Sequence, residues 1–154
     1  MLNRKVLLLL TLSLLMSIVL FHCVKKSENT EKPIESIDWL TDLNTAISKA
    51  AEMDKPIMID FMAEWCPPCH AMEDSTFSNA DVIKKAQSFI PLRIDVDEQQ
   101  DIANKYNGNA SKYGGVGIPN ILFMKADETK LKHVIGYHGP QKFIAVMDSV
   151  LTLL

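Results

Sequence analysis

Between Pro56 and Trp65 the chain runs Ile57-Met58-Ile59-Asp60-Phe61-Met62, an apolar run broken only by one carboxylic acid. Its length and continuity suit a strand covered on both faces. Ahead of it, Asp38 can cap a helix that places Trp39, Leu40, Leu43, Ala46, Ile47, Ala50 and Ala51 on one face, with Pro56 closing the connection. Behind it, a helical stretch runs through Met72, and Ser78 with Asp81 forms a capping box for a helix carrying Val82, Ile83 and Ala86. Phe89 to Val96 reads as a second strand and Glu98 to Tyr106 as a helix, followed by a Gly/Asn-rich loop through Gly117. Ile121 to Met124 is a third strand, turned at Asp127-Glu128 into a fourth, Leu131 to Ile135. Pro140 opens a last helix with Phe143, Ile144, Val146, Met147, Val150 and Leu151 on one side. Strands joined through helices pair in parallel, and the short late turn makes an antiparallel hairpin. The pattern therefore predicts an α/β sandwich with a mixed central sheet flanked by helices.

The N-terminal part follows a different rule. Arg4 and Lys5 precede an apolar run from Val6 to Phe21, interrupted only by Thr11, Ser13 and Ser17. A charged start followed by such a run is an export or anchoring signal, so residues 1–23 are assigned to a signal or membrane anchor. Two routes to the membrane stay open, with simple secretion as a third reading. Val6 to Val24 is long enough to span a bilayer uncleaved. Alternatively Cys23, preceded by Val19-Leu20-Phe21-His22, loosely resembles a lipidation site, although His22 stands where a small residue is usual. Either route ties the remainder to the membrane on the extracytoplasmic side of a bacterial envelope. Residues 24–36 are mostly polar, with Lys25, Lys26, Glu28, Glu31, Lys32 and Pro33, and read as a tether. Residues 37–154 form the folded domain.

Composition narrows the function by exclusion. The 154 residues are 47% apolar and 23% charged, with a net charge of −3, so no basic face for nucleic acid is implied. Three cysteines are too few for a disulfide-stapled scaffold. Two of them, Cys66 and Cys69, stand at the junction of the first strand and the next helix, and that position has a chemical logic. A thiol at a helix start meets free N–H groups and the helix dipole, which favour the thiolate, the attacking species. A second thiol one turn on can resolve a mixed disulfide by intramolecular attack. Pro68 lies in the first turn, where a missing N–H costs little, and Pro67 removes one possible donor to the Cys66 sulfur.

The segment Asp60-Phe61-Met62-Ala63-Glu64-Trp65-Cys66-Pro67-Pro68-Cys69 resembles the active site of thioredoxins, and Gly117-Ile118-Pro119 resembles the cis-proline loop of that family. With Ser75-Thr76-Phe77, the pattern is most similar to the C-terminal periplasmic domain of DsbD-type interchange proteins and their stand-alone relatives. The resemblance covers residues 37–154 and implies a thioredoxin-like three-layer sandwich. It implies a thiol–disulfide oxidoreductase whose partners are disulfide-containing client proteins and an upstream thiol donor, with no cofactor and no metal. It assigns Cys66 as nucleophile, Cys69 as resolving thiol and Asp60 as the acid that relays a proton at the resolving cysteine. It gives Pro119 and Ile118, with Trp65, Pro67 and Pro68, to the substrate groove. Three departures stand out: Arg93 replaces the family's lysine near the acid, Met62 replaces a tryptophan, and Asn107 to Gly115 is longer than the common linker.

The same residues admit rival readings. Cys66 to His70 also matches a c-type haem attachment motif, against which the apolar strand, Trp65 and the paired prolines argue. Zinc would need two further ligands, and His22, His133 and His138 show no paired spacing. Asp95, Asp97, Glu98 and Asp101 resemble a calcium loop by charge only. Met53, Met58, Met62, Met72, Met124 and Met147 fall at core periodicities. From a different class comes a redox-inert binding or assembly module, and within the same chemistry a dedicated reductase for cytochrome c maturation. Pro67 and Asp60 both oppose a stabilised thiolate, and Arg93 is the one obvious cation, which favours a reductase over an oxidant; a protonated His70 would act the other way.

Overall fold

The computed structural model describes residues 35–154. The apolar N-terminal segment, Cys23 and most of the polar tether lie outside the described residues. Among the described residues no helix is long and apolar enough to cross a membrane.

The elements in chain order are α1 (Leu43–Met53), β1 (Ile57–Met62), α2 (Pro67–Met72) and α3 (Ala80–Ala86), then β2 (Ile90–Asp95), α4 (Gln100–Tyr106), β3 (Asn120–Met124), β4 (Lys130–Ile135) and α5 (Pro140–Leu151). The sheet order is β2-β1-β3-β4. β1 and β2 are parallel, β3 runs antiparallel to β1, and β4 antiparallel to β3. This is the mixed central sheet with helices on both faces that the apolar pattern predicts.

Side-chain alternation along β1 decides what each face holds. Ile57, Ile59 and Phe61 enter one core with Leu43, Ala46, Ala50 and Ala103 from α1 and α4. Met58 enters the other, with Met72, Phe77, Val82, Ile83, Phe143, Met147 and Val150 from the α2, α3 and α5 side. Asp60 shares the parity of Met58, so period two sends a carboxyl into the second layer. Phe77 stacks edge-on against both Trp39 and Phe143, at centroid distances of 5.1 and 5.7 Å.

Several boundaries differ from the sequence expectation. The first helix begins at Leu43 under an Asp42 cap, whose side chain accepts from the Thr45 N–H, rather than at Asp38. Trp39 and Leu40 therefore precede the helix, and Leu40 lies beside Leu92 as a one-residue extension of the sheet. Its N–H donates to Pro91 O and its carbonyl accepts from Arg93 N–H, so backbone pairing at the β2 edge outcompetes helix extension. The cap of α3 is Asn79, not Ser78; its side chain accepts from the N–H groups of Asp81 and Val82. The helical stretch expected to stop near Met72 continues through a π-helical turn, Glu73–Phe77. Met53 is exposed rather than in the core.

Candidate redox-active site

β1 ends at Met62, and its carbonyl accepts from Val96 N–H as the chain leaves the sheet. A tight turn follows in which Cys66 N–H donates to Ala63 O, and α2 begins at the next residue. Cys66 is the N-cap of α2. Its Sγ accepts from Cys69 N–H at 3.3 Å, while Pro67 and Pro68 occupy the first two helical positions and offer no N–H. Cys66 and Cys69 form a disulfide with their Cα atoms 5.3 Å apart, and both are buried. His70, next in the chain, shares its Nε2 with the Glu64 carbonyl at 2.6 Å, so it braces the turn before Trp65 from the helix surface.

Asp60 stands inside β1, opposite Arg93 on β2 and Ile121 on β3. It is 2% exposed. Burial pushes its carboxyl up from an ordinary 3.8 to about 6, against the pull of the Arg93 guanidinium and with a small push from Glu73. Arg93 Nε donates to Asp60 Oδ2 at 3.0 Å and its Nη2 to Glu73 Oε2 at 2.5 Å. The guanidinium lies over the Trp39 ring, 4.4 Å from its centroid, so an aromatic face replaces part of the water it has lost. The arrangement gives one acid poised near neutral pH on the sheet face that α2 covers.

The Ile118–Pro119 peptide bond is cis, and the Pro119 carbonyl accepts from Gly136 N–H at 2.8 Å. Asn120 fixes the approach to it. Its amide nitrogen donates to Gly108 O at 2.8 Å and Gly117 O at 2.7 Å, so its Oδ1 accepts from His133 Nε2 at 2.7 Å. Burial, with Lys130 nearby, holds the His133 ring below its ordinary range and therefore neutral.

The residues singled out in the sequence thus lie on three neighbouring features: the Cys66–Cys69 turn with Trp65, Pro67 and Pro68; Asp60 on the strand leading into it; and the cis Ile118–Pro119 bond. Cys23 lies outside the described residues. Three groups were missed. Glu73 sits one helical turn beyond Cys69, a spacing that could have flagged it. Trp39 had been placed on a helix. Asp97, one of the four acids that resemble a calcium loop by charge only, accepts from the Tyr113 hydroxyl and the Trp65 indole N–H. These two bonds hold its carboxyl below the usual range. Among the described residues no cluster of His, Cys, Asp or Glu could hold a metal ion.

A reactive cysteine pair at a strand-to-helix turn, within a mixed sheet that also carries a cis-proline loop, defines a dithiol–disulfide exchange protein. The family model described as thioredoxin-like matches residues 38–126, and the chain belongs to that family of thiol–disulfide oxidoreductases. It is 30% identical over 116 residues to a thioredoxin of Alicyclobacillus acidocaldarius, covering 73% of this chain and 95% of that one. It is 30% identical over 118 residues to the thiol:disulfide interchange protein DsbD of Colwellia psychrerythraea, covering 75% of this chain and 19% of the relative. The DsbD of Campylobacter jejuni is 29% identical over 97 residues, 63% of this chain and 17% of the relative. The chain therefore spans under a fifth of the interchange proteins it matches. Among solved structures, the oxidised C-terminal domain of Neisseria meningitidis DsbD superposes with a TM-score of 0.56 at 26% identity, covering 71% of this chain and 97% of that one.

Proposed function

We propose that this chain is a membrane-tethered, extracytoplasmic reductase of protein disulfides, with Cys66 as nucleophile, Cys69 as resolving thiol and Asp60 as the proton acceptor for Cys69. The observation that carries the reading is the composition of the Cys66 turn. Of the first three helical positions only Cys69 presents an N–H to the sulfur, because Pro67 and Pro68 have none. A thiolate at Cys66 is therefore less stabilised than helix starts allow, and a less stabilised reduced form makes a better electron donor. The buried Asp60 carboxylate, ionised at pH 7, opposes a second negative charge nearby and pushes in the same direction.

In the forward reaction the Cys66 thiolate attacks one sulfur of a client disulfide, and the other client sulfur leaves as a thiolate. Asp60 takes the Cys69 proton, directly or through a water. The Cys69 sulfur then attacks Cys66 Sγ, expelling the second client thiolate and closing the Cys66–Cys69 disulfide. Two electrons pass to the client, and an upstream thiol donor must return them to the pair. Trp65, Pro67, Pro68, Ile118 and Pro119 line the groove that receives the client. The apolar segment Val6 to Phe21 and its polar tether support placement outside the cytoplasm, on a membrane anchor.

Insulin reduction with dithiothreitol as electron source tests the roles. Cys66→Ser should abolish turnover, and Cys69→Ser should accumulate mixed disulfides with clients. Wild-type turnover by the Cys66→Ser protein would refute the assignment. Direction is tested by equilibration against a glutathione buffer. A potential near the thioredoxin value of about −270 mV supports the reductase, and one near the about −120 mV of strong dithiol oxidants refutes it.

A further inference from the structure

Arg93 serves two carboxylates that stand in different surroundings. Its Nε donates to Asp60 Oδ2 at 3.0 Å and its Nη2 to Glu73 Oε2 at 2.5 Å. The Asp60 side chain is 3% exposed and the Glu73 side chain 51%. A guanidinium loses hydration in following Asp60 inward and keeps it in following Glu73 outward, so hydration alone favours Glu73. Something must hold the cation on the buried side. The Trp39 ring covers it, with Arg93 Cζ 4.4 Å from the ring centroid, and the Phe77 ring lies 5.7 Å away. Among side-chain rings the indole face is the best partner for a cation.

Trp39 is itself held in place. Next to it, Leu40 pairs with β2: its N–H donates to Pro91 O at 3.0 Å, and its carbonyl accepts from the N–H of Arg93 at 2.8 Å. The backbone that carries the ring is thus bonded to the residue the ring covers. Phe77, from the π turn that also carries Glu73, meets the ring edge-on at 5.1 Å. Among the described residues, Arg93 from β2 and Glu73 from the π turn are the charges that act on Asp60. Asp74 of the same turn is exposed, and β3 sets the apolar Ile121 opposite Asp60. The titratable groups of α2 are Cys66 and Cys69, joined in the disulfide, and His70, which is exposed and bonded to the Glu64 carbonyl. The seat of one guanidinium therefore decides how readily Asp60 ionises.

We propose that Trp39 is a positioning residue: it seats Arg93 against Asp60 and so sets the pH above which Asp60 can take the Cys69 proton. The inference rests on the reading of Asp60 as the proton acceptor for Cys69. Arg93 favours the ionised carboxyl, which is the form that accepts a proton. Without the ring face the guanidinium follows Glu73 into water, and its attraction for Asp60 falls with distance and with screening. Burial then acts on Asp60 with less opposition, and ionisation needs a higher pH. A Trp39 that merely excluded water would have the opposite effect, since its loss would hydrate the carboxylate and let it ionise at a lower pH. Arginine suits this seat better than lysine, because a planar guanidinium lies flat on a ring while its fork meets two carboxylates.

Two pH titrations of the full chain in detergent test the seat. With the Cys66–Cys69 disulfide closed no thiol of the pair titrates, and NMR follows the Asp60 carboxyl carbon, identified as the signal lost in Asp60→Asn. Trp39→Leu and Trp39→Met keep apolar cover without a ring face, and either suffices if the other does not fold. Both should raise the midpoint by about half to one pH unit, the size of a partly desolvated cation–π contact. Trp39→Phe, which keeps a ring face, should shift it by about half as much or less. Arg93→Met should raise it at least as far as Trp39→Leu, and adding Trp39→Leu to Arg93→Met should change nothing more. A midpoint that stays or falls in Trp39→Leu and Trp39→Met, or a Trp39→Leu shift that persists beside Arg93→Met, overturns the proposal. The second titration uses the reduced protein and the disulfide of nitrothiobenzoate, a coloured thiol. Attack by the Cys66 thiolate releases one nitrothiobenzoate; attack by the Cys69 sulfur on Cys66 Sγ, its proton passing to Asp60, releases the second and closes the disulfide. The pH midpoint of the second release should rise with that of the carboxyl. A carboxyl midpoint that moves while the second release does not refutes Asp60 as acceptor and leaves Trp39 as the seat of Arg93 alone.

Discussion

Asp60→Asn isolates what a buried carboxyl does to this fold. The folded protein holds the Asp60 proton up to about 6, against 3.8 for an ordinary aspartate. The difference is about two pH units, or about 3 kcal/mol at about 1.4 kcal/mol per unit. The sign follows from proton counts. Between the two values the folded state binds more protons than the unfolded state, so stability falls as pH rises. Below about pH 4 both states are protonated and the carboxyl is nearly neutral in its effect; above about pH 6 both are ionised and the full penalty of about 3 kcal/mol stands. Asparagine has the same shape and does not titrate. Its own packing and its altered contact with Arg93 are the same at every pH, so they cancel in a comparison across pH. The stability of Asp60→Asn relative to wild type should therefore improve by about 2 kcal/mol between pH 4 and pH 8, part of the penalty being already present at pH 4. Urea titrations of both proteins with the Cys66–Cys69 disulfide closed, so that no thiol titrates, measure the quantity directly. A difference that stays flat across that range, or that shrinks with rising pH, would falsify the argument from burial.

Three further outcomes are expected. Gly108→Ala places a Cβ 2.5 Å from the Phe61 ring and should destabilise the domain by about 1–3 kcal/mol in a denaturant titration, through overpacking. Pro68→Ala restores an N–H at the second helical position, where caps find their donors, and should raise the reduction potential by about 30 mV, equivalent to about 1.4 kcal/mol of thiolate stabilisation. For the anchor, wild type should fractionate with membranes; Cys23→Ala should release a lipoprotein into the soluble fraction but leave a spanning segment in place.

Much of this site was legible because it rests on local rules. The apolar run of β1, the two prolines and the cysteine spacing are read within a dozen residues, and they place the disulfide at a strand-to-helix turn without tertiary information. The cis-proline loop was recognisable from Gly117-Ile118-Pro119. What stayed hidden depends on partners distant in sequence. Asp38 and Asp42 are equally good caps by type; the choice falls to Asp42 because Leu40 pairs at the sheet edge beside Leu92, a contact across some fifty residues. The π turn at Glu73–Phe77 has no period a scan for helices would find, yet it carries Glu73 to Arg93 and Phe77 to Trp39. Asp97 looks like one acid among several until the loop folds back and brings Tyr113 to it.

The unusual residues gather beside the cysteine pair, and they do so at a cost to the fold. A domain of this size is stable by about 5–15 kcal/mol, so about 3 kcal/mol lost to one ionised carboxyl at neutral pH is a large share. Nothing in the sheet needs that carboxyl: Asp60 stands between Met58 and Met62 on a face otherwise filled by apolar side chains, and a neutral residue would pack there. Arg93 does not cancel the penalty, since the carboxyl remains raised with the guanidinium 3.0 Å away. A group that weakens the fold only when ionised stands on the strand that leads into the cysteine pair, where the proposed proton transfer from Cys69 would use a carboxyl titrating at about 6. The two prolines at the start of α2 follow the same logic, withholding N–H groups that would have stabilised the Cys66 thiolate. Both departures act in the direction the proposed reductase requires, toward a less stabilised Cys66 thiolate, and a low reduction potential of the pair is the measurement on which that proposal stands.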